Sequence, residues 1–224
     1  GIAATRSQAQ RVLQAGGVWI GVAGAWKPLA KGATVADDAQ LKLVDGDELK
    51  YVSRGGLKLA GALAHTGLSL TGKTILDVGQ STGGFTDCAV QHGAARVVGV
   101  DVGHGQLAAS LKNHPQVTAI EGLNARHISA AALGEHCPML DGKIIGFDVI
   151  VGDVSFISLT LVLPALVPLL AAHGQVLFLV KPQFELQAEQ LSAGGIVRGA
   201  ALYATVAQRI RSACAACGLQ VLDY

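Results

Sequence analysis

From about residue 53 onward, the pattern of hydrophobic and polar residues alternates between two kinds of segment. Short apolar runs with β-branched residues predict strands, and segments with apolar residues three and four positions apart predict helices. The predicted strands cover residues 74–78, 96–101, 117–120, 147–152, 175–180 and 219–224. The helices between and after them cover residues 84–92, 104–112, 127–133, 158–171 and 200–217. This alternation is typical of an α/β fold with a doubly wound, mostly parallel sheet, which binds ligands at the carboxyl ends of its strands.

One more helix is predicted ahead of the first of these strands. Ser53 is a favourable N-cap residue, and Gly67 provides a stop. The apolar face between them consists of Leu57, Ala60, Leu63 and Ala64.

The front of the chain has a shorter pattern of its own. A helix is predicted over residues 5–15, followed by strands over 18–26 and 41–44 with a turn at Lys27-Pro28 and a polar loop between them. The acidic run 45–48 ends this unit. We therefore predict a small domain over residues 1–48, a linker over 49–52 and a larger domain over 53–224.

The turn after the first strand of the larger domain carries the most chemical information. Asp77 ends the strand, and small residues lead through Gly79 to Gly83 and Gly84, where a helix begins. Glycines let the backbone turn sharply and approach a ligand, and the helix N-terminus offers free N–H groups. The spacing matches neither the dinucleotide-binding pattern nor a phosphate loop. An acid here suits a positively charged ligand such as S-adenosylmethionine (SAM).

Polar residues at the later strand ends extend this candidate site. Asp101, about 20 residues past the glycine turn, suits the capture of ribose hydroxyls. Asn124 either hydrogen-bonds the edge of an adenine ring or serves as a turn residue. Asp153 ends the fourth strand, where a bound methyl donor would present its sulfonium. Phe156 either stacks on a base or packs in the core, and core packing is the expected role.

Two lysines are candidates for the chemical step. Lys181 ends the fifth strand directly after an apolar run, so it must reach solvent or have a partner, and Asp153 is the expected partner. Lys58 either lies on a solvated helix face or approaches the same cleft. In the cleft, a second cation would favour the neutral amine of Lys181 and allow it to act as a base.

Composition narrows the possible classes of protein. Half of the residues are hydrophobic and 15% are charged, which favours a folded core over disorder. The net charge is +1, but through Lys58 there are eight Lys and Arg residues against five Asp and Glu residues. This excess hints at a front segment that faces nucleic acid.

Cysteine usage and hydropathy bear on the compartment. The four cysteines are too few and too scattered for a disulfide framework, and Cys214 and Cys217 are expected to be buried thiols on one helix face. The uncharged stretch 154–180 is interrupted by Pro164 and Pro168, so we interpret it as a covered helix and a central strand rather than a membrane span. With no leader sequence at the front, a cytoplasmic location is expected.

Four motifs in the same order resemble those of the TlyA family. They are Tyr51-Val-Ser-Arg-Gly-Gly-Leu-Lys58-Leu, Asp77-Val-Gly-Gln-Ser-Thr-Gly-Gly-Phe-Thr-Asp87, Asp153-Val-Ser-Phe-Ile-Ser-Leu159 and Val180-Lys181-Pro-Gln-Phe-Glu185. Members of that family carry the name haemolysin and are similar to FtsJ-type SAM-dependent ribose 2′-O-methyltransferases of ribosomal RNA. Residues 5–48 likewise resemble the alpha-L RNA-binding fold.

The resemblance implies roles for particular residues. Lys58, Asp153 and Lys181 match the first three positions of a Lys-Asp-Lys-Glu catalytic set, whereas the fourth has no counterpart before the last residue, Tyr224. The opening helix of the alpha-L fold and the last antiparallel strand of the methyltransferase sheet are also expected to be missing. Gln80 stands where the family usually has Ala, a change expected to be tolerated.

The expected sites follow from the motifs and the resemblance together. The candidate cofactor-binding residues are Asp77, Gly79, Ser81, Thr82, Gly83, Gly84, Phe85, Thr86, Asp101, Asn124 and Asp153. The candidate RNA-binding residues are Arg6, Arg11, Lys27, Arg54 and Lys58. No metal is expected, because in-line transfer of an activated methyl group depends on positioning and on a base.

The expected function is therefore methyl transfer from SAM to a ribose 2′-hydroxyl, with ribosomal RNA or a ribosomal subunit as the partner. Two alternatives stay open at this point. One is a membrane-lytic protein, and the other is an RNA-binding protein whose methyltransferase domain is inactive.

Overall fold

The computed structural model describes residues 6–14, 17–22, 24–30, 32–43, 50–192 and 194–224. The segments 1–5 and 44–49, which contain the predicted ends of the front unit, lie outside the described residues.

The described residues of the front unit form one helix and a three-stranded antiparallel sheet. Helix α1 (Arg6–Gln14) precedes strands β1 (Val18–Val22), β2 (Ala25–Pro28) and β3 (Leu41–Leu43), and β1 lies in the middle of the sheet. The prediction of a single strand over 18–26 was wrong, because the chain reverses near Gly24, whose φ is 79°. Lys27 and Pro28 belong to β2 rather than to a turn, and an edge strand tolerates the proline because its missing N–H is not needed there.

The second unit alternates strands and helices as the sequence predicts. Its helices are α2 (Gly55–Thr66), α3 (Gly84–Gln91), α4 (Ala109–Lys112), α5 (Ala130–Leu133), α6 (Leu159–Leu166), α7 (Pro182–Glu185) and α8 (Ala200–Ala216). Its strands are β4 (Thr74–Val78), β5 (Arg96–Asp101), β6 (Val117–Glu121), β7 (Met139–Leu140), β8 (Lys143–Ile144), β9 (Phe147–Gly152), β10 (Leu170–Phe178), β11 (Leu191–Ser192) and β12 (Ile196–Val197). Short 3₁₀ turns cover Ala125–His127, Gly134–His136, Val167–Leu169 and Ala188–Gln190.

Five of these strands form the central sheet, in the order β10-β9-β4-β5-β6. Every neighbouring pair in it is parallel. Because β4 pairs with β5 on one side and with β9 on the other, the strand order reverses at β4. Ligands of open α/β sheets bind in the crevice at this point.

Alternating residues of the sheet pack against helices on both faces. Ile75 packs in a cluster with Leu59 of α2 and Cys88 of α3, whereas the next residue, Leu76, packs in a cluster with Val162 of α6. Side chains of successive strand residues point to opposite faces, so each core strand needs apolar residues at nearly every position. The sheet is thus the middle layer of a three-layer sandwich, which confirms the predicted α/β class.

Several predicted boundaries differ from the structure. Ser53 does not cap α2, which begins after Arg54 without a side-chain cap, although Gly67 ends it in the left-handed conformation as predicted. Ala64 is exposed rather than part of the buried face, which consists of Gly56, Leu59 and Leu63.

The helices predicted over 104–112 and 127–133 shrink to α4 and α5, and the helix over 158–171 ends at Leu166 because the chain continues into a 3₁₀ turn and then into β10.

The end of the chain also differs from the prediction. Residues 219–224 form no strand; instead Asp223 Oδ2 lies 2.7 Å from His65 Nε2 at the end of α2. β10 lies at an edge of the central sheet rather than in its middle, and its residues are half-buried or exposed. Cys214 and Cys217 are half-buried free thiols rather than fully buried ones. Among the described residues, no helix is long and apolar enough to cross a membrane.

Candidate active site at the carboxyl ends of the sheet

Three charged side chains meet where β9 and β10 end. Lys58 Nζ lies 2.7 Å from Asp153 Oδ2, and Lys181 Nζ lies 2.7 Å from Asp153 Oδ1. Asp153 directly follows β9, Lys181 follows β10, and Lys58 reaches them from the first turn of α2. The pairing of Lys181 with Asp153 that the sequence predicts is confirmed, and Lys58 joins the cleft rather than a fully solvated face.

The position of Asp153 between two ammonium groups controls its charge state. Burial of the carboxyl raises its pKa, but the hydrogen bonds and charges of Lys181 and Lys58 lower it by more, so the pKa of Asp153 lies below its usual value. Asp153 is therefore ionised at neutral pH. The three groups then carry two positive charges and one negative charge.

A serine that the sequence reasoning missed completes the surroundings of Lys181. The ammonium of Lys181 donates a hydrogen bond of 2.6 Å to Ser155 Oγ and a longer one of 3.4 Å to the backbone oxygen of Asp153. The signal available in the sequence was the position of Ser155, two residues past a strand-end acid. Ser155 fixes the direction in which the amine of Lys181 points.

An exposed aromatic residue stands next to this cluster. The side chain of Phe156 is 91% exposed, and its φ of 63° is in the left-handed region that phenylalanine rarely adopts. Its ring centroid lies 5.2 Å from that of Phe184, which in turn lies 5.9 Å from Lys181 Nζ. The expectation that Phe156 packs in the core was wrong, because the loop after β9 turns its ring outward.

A buried carboxylate that the sequence reasoning did not find connects the segment after β9 with the segment after β10. Glu185, 2% exposed, accepts hydrogen bonds from Ser158 Oγ at 2.5 Å and from the backbone N–H of Leu159 at 2.7 Å. Arg209 of α8 donates a hydrogen bond of 2.6 Å to the backbone oxygen of Glu185. We call Glu185 with Ser158 the carboxylate clamp. It joins the loop that carries Asp153 and Phe156 to the segment that carries Lys181.

The glycine turn after β4 has the backbone shape that its sequence predicts. Gly79 and Gly83 have φ values of 84° and 92°. A Cβ atom on Gly83 would come within 2.7 Å of Leu107 and Leu111. Gly84 begins α3, and a Cβ atom there would lie 2.2 Å from Ser53 Oγ and 3.1 Å from Gly55 Cα. The glycines therefore permit both the left-handed turn and the close approach of α2 to α3.

Asp77 lies beneath this turn in a chain of buried side chains. Gln80 Nε2 donates a hydrogen bond of 2.9 Å to Thr86 Oγ1, which donates one of 2.7 Å to Asp77 Oδ2. The pKa of Asp77 is raised to about 7, chiefly by burial; the hydrogen bonds of Thr86 oppose this rise, and the charges of Asp101 and Asp153 add to it. Thr86 is fully buried, so the structure places it behind the turn rather than on its surface.

The remaining candidates for cofactor binding lie around the same crevice. Asp101 accepts hydrogen bonds of 2.7 Å from the backbone N–H groups of Ser81 and Gly103. Asn124 caps a 3₁₀ turn by accepting a bond of 2.9 Å from the N–H of Arg126. Ser81 and Thr82 are exposed, whereas Phe85 is buried in the core cluster of α2 and α3. Direct contacts of these residues with a cofactor stay predictions.

The acids at the strand ends fit the predicted cofactor. Three adjacent strands each have an acid at the carboxyl end: Asp77 is the next-to-last residue of β4, Asp101 is the last of β5, and Asp153 follows β9. Asp77 Oδ1 is buried and has no hydrogen-bond partner among the described residues. A crevice that gathers the carboxylates of Asp101 and Asp153, with Asp77 buried beneath it, suits a ligand with an ammonium and a sulfonium group, since an opposite charge stabilises a carboxylate.

The basic residues predicted to bind RNA are distributed over both units. Arg6 of α1, Lys27 of β2 and Arg54 before α2 are exposed. The side chain of Arg11 lies outside the described part of the chain. Lys58 belongs to the charged cluster described above.

Comparisons with known proteins bear on the identity of this fold. The family model for the FtsJ-like methyltransferase matches residues 51–223. The 16S/23S rRNA (cytidine-2'-O)-methyltransferase TlyA of Mycobacterium tuberculosis is 43% identical over 197 residues, which is 88% of this chain and 69% of that protein. Hemolysin A of Brachyspira hyodysenteriae is 37% identical over 224 residues, which is 100% of this chain and 87% of that protein.

A solved structure from Streptococcus thermophilus, named as a hemolysin, superposes with a TM-score of 0.74 and 40% identity. The match covers 100% of this chain and 77% of that chain. Together with the family match, it confirms the predicted fold and the predicted resemblance. The chain belongs to the FtsJ-like methyltransferase family, and its cofactor is S-adenosylmethionine.

Proposed function

We propose that this protein transfers a methyl group from SAM to a ribose 2′-hydroxyl of ribosomal RNA. The observation that carries the proposal is the cluster of Lys58, Asp153 and Lys181, with one carboxylate oxygen 2.7 Å from each ammonium. A ribose hydroxyl is a weak nucleophile, so its methylation requires a group that accepts its proton at the moment of attack. Lys181 is that group in this proposal.

Proton transfer to Lys181 takes place beside an ion pair. Asp153 contacts the Lys58 ammonium through one carboxylate oxygen and Lys181 Nζ through the other. The 2′-hydroxyl proton then moves to the Lys181 amine, directly or through one water, while the ribose oxygen attacks the methyl carbon in line. SAM supplies an activated methyl group and a neutral thioether leaving group.

Ser155 and Asp153 orient Lys181, the proposed proton acceptor. The hydrogen bond of 2.6 Å from Lys181 Nζ to Ser155 Oγ fixes the position of the amine, and Asp153 lies on its other side. Because its amine is held in this way, Lys181 needs little reorganisation before proton transfer. Lys58 steadies the charge that develops on the substrate.

Phe156 provides a surface for the base of the target nucleotide. Its ring is 91% exposed beside Phe184, whose ring centroid lies 5.9 Å from Lys181 Nζ. Unpaired RNA bases stack on aromatic side chains, so this ring can hold the base of the nucleotide whose ribose lies at the cluster. The strained φ of 63° at Phe156 supports a functional reason for its outward position.

The identity of the RNA rests on the relatives and on the front unit. The Mycobacterium tuberculosis relative is named for the methylation of cytidine in 16S and 23S rRNA, and we extend both the ribosomal substrate and the cytidine to this chain. The exposed Arg6 and Lys27 give the front unit cations for the phosphate backbone. A cytoplasmic location goes with this substrate.

A transfer assay with methyl-labelled SAM and purified ribosomal subunits tests the proposal. Lys181→Ala should lose a factor of about 10² to 10⁴ in rate, the usual contribution of a positioned base, while its affinity for SAM changes little. Lys181→Arg keeps the charge but cannot take a proton, so it should be nearly as slow. Lys143→Ala, which removes an exposed lysine of β8, is the matched control and should keep full activity.

The two alternative functions give different outcomes in the same experiments. An inactive methyltransferase domain would bind RNA and leave it unlabelled in every variant. A lytic protein, as the name of the Brachyspira hyodysenteriae relative suggests, would release dye from liposomes, and Lys181→Ala would release it equally well. Alkali cleaves RNA only where the ribose has a free 2′-hydroxyl. Label that is recovered in mononucleotides after alkaline cleavage would therefore place the methyl group elsewhere than on the 2′-oxygen.

A further inference from the structure

One face of the front sheet carries two tryptophans and a lysine that the proposed reaction does not use. Trp19 lies opposite Lys42 in the pairing of β1 with β3, and Gly21 lies opposite Trp26 in the pairing of β1 with β2. Directly opposed residues of an antiparallel pair share a face, and so do residues two apart on one strand. Trp19, Trp26 and Lys42 therefore project from the same side of the sheet. We call this group the indole–lysine face.

The three side chains form one cluster. Lys42 Nζ lies 4.4 Å from the ring centroid of Trp26 and 5.7 Å from that of Trp19, within the range of cation–π attraction. The ring of Trp26 lies over Gly21: a Cβ atom on that glycine would be 3.7 Å from Trp26 Cη2. In the part of the chain that the structure describes, no acidic side chain forms an ion pair with Lys42. The cluster therefore presents aromatic surface and a positive charge together.

The core of the front unit lies on the other side of the sheet, so the tryptophans are not there to fill it. The other face of β1 and β3 carries Val18, Leu41 and Leu43, which line an apolar cavity of about 370 Å³ with Val12 of α1. Trp26 is 38% exposed, and every residue of β2 is exposed. Large indoles on an open sheet face suit a binding surface better than a packing role.

We propose that the indole–lysine face binds an unpaired segment of RNA, with a nucleobase stacked on the Trp26 indole and a neighbouring phosphate on the Lys42 ammonium. Aromatic rings on a sheet surface stack unpaired bases of any sequence, and a nearby cation contacts the phosphate backbone. The positive charge for this partner comes locally from Lys42, since residues 1–48 carry five Lys and Arg residues against five Asp and Glu residues. The inference rests on the proposed action on RNA and adds a second contact outside the catalytic crevice.

Intrinsic fluorescence tests this site selectively, because Trp19 and Trp26 are the only two tryptophans of the chain. A single-stranded oligouridylate should quench their emission as it binds, whereas an RNA duplex at equal concentration should quench it much less. Stacking of one base contributes about 1–3 kcal/mol, so Trp26→Ala should weaken binding of the single strand about five-fold or more. Tyr203→Ala, which removes an exposed aromatic ring of α8, is the matched control and should not change the affinity.

The variant Trp19→Phe isolates the emission of Trp26 and guards against a folding defect in the alanine variant. Quenching of Trp26 in that variant, with a weaker effect in Lys42→Gln, supports the stacked arrangement. Binding of the single strand without a change in emission would overturn it, and so would equal affinity in Trp26→Ala. A ribosomal protein that quenches the emission when RNA does not would also overturn it.

The same samples separate this inference from the proposed function. Methyl transfer to ribosomal RNA with no quenching by the single strand would refute the indole–lysine face and leave the proposed reaction intact. Quenching without any transfer of label would support the face and refute the reaction.

Discussion

The buried side chain of Gln80 occupies the space that Gly99 of the neighbouring strand leaves open. A Cβ atom on residue 99 would lie 2.0 Å from Gln80 Nε2 and 2.1 Å from its Cδ. Gln80 is 5% exposed and uses this space to reach Thr86 Oγ1 at 2.9 Å. The expectation that a glutamine would simply be tolerated at this turn understated its role, because the residue is part of a buried hydrogen-bond chain that depends on Gly99.

Gly99→Ala should therefore destabilise the protein by about 1–3 kcal/mol, the usual effect of overpacking a filled interior. The added methyl group displaces the Gln80 amide and breaks its bond to Thr86. The double variant with Gln80→Ala should recover most of the loss, since the alanine leaves room for the methyl group. Urea unfolding of the two single variants and the double variant measures this coupling.

Gly61→Ala supplies the control for that series. Gly61 is in α2, and a Cβ atom there would have no heavy atom within 4 Å apart from the backbone of its own helix. The alanine should leave stability unchanged or raise it by up to about 1 kcal/mol, because glycine is a poor helix former. Additive losses in the Gly99 and Gln80 variants would show that the two side-chain positions are independent.

The raised pKa of Asp77 predicts a dependence of stability on pH. The folded state holds the proton of Asp77 up to about pH 7, whereas an ordinary carboxyl releases it near 3.8. The stabilising contribution is complete below pH 3.8 and is lost as the pH rises through about 7. The slope is at most about 1.4 kcal/mol per pH unit.

Asp77→Asn removes this titration while keeping an acceptor for Thr86. Unfolding in urea at pH 5 and pH 8, without SAM, should show the asparagine variant gaining stability over the parent protein as the pH rises. A constant difference between the two proteins across this range would mean that Asp77 is ionised in the folded state throughout.

Loss of the carboxylate clamp should impair catalysis without removing SAM binding. Glu185→Ala leaves Ser158 Oγ and the N–H of Leu159 without their acceptor, so we expect a loss of about 3 kcal/mol in stability. At a temperature where the variant is folded, the rate of methyl transfer should fall because Asp153 and Lys181 no longer keep their distance. Calorimetry with SAM should give nearly the parental affinity.

Glu189→Ala is the matched control for the clamp, since Glu189 is exposed and lies four residues later in the chain. It should retain stability and activity. An equal fall in SAM affinity and transfer rate in Glu185→Ala would indicate a general collapse of the crevice instead of misplacement of the lysine.

Phe156→Gly should separate stability from activity. Glycine adopts a φ of 63° without strain, so the free energy of unfolding should rise or stay within about 1 kcal/mol despite the loss of the ring. The kcat/KM for RNA should fall, because stacking on an aromatic ring contributes about 1–3 kcal/mol. Parallel measurement of thermal unfolding and of methyl transfer checks both halves of this prediction, and full activity in the glycine variant would contradict it.

The sequence predicted the sheet well for a physical reason. Ile75, Leu76, Val97 and Val98 are buried on opposite faces, so the strands that carry them are apolar at successive positions and are visible as runs. The pairing of Asp153 with Lys181 was also predictable, since the carboxyl ends of neighbouring parallel strands meet at one edge of the sheet.

Other parts of the site depend on contacts that a linear pattern does not contain. Glu185 and Ser158 are 27 residues apart in the chain and meet through the fold alone. The outward ring of Phe156 depends on a left-handed backbone conformation, and no neighbouring glycine in the sequence indicates it. The helices α4 and α5 have four residues each, too few for a helical period of apolar residues to mark their ends.

The missing side chain of Gly84 lets the first turn of α2 rest directly on the start of α3, and Lys58 lies within that first turn. The position of Lys58 is therefore coupled to that of the glycine turn. A displacement of the turn, for example on ligand binding, is expected to move Lys58 as well. A larger residue at position 84 would push α2 away from α3 and so change the distance between Lys58 and Asp153.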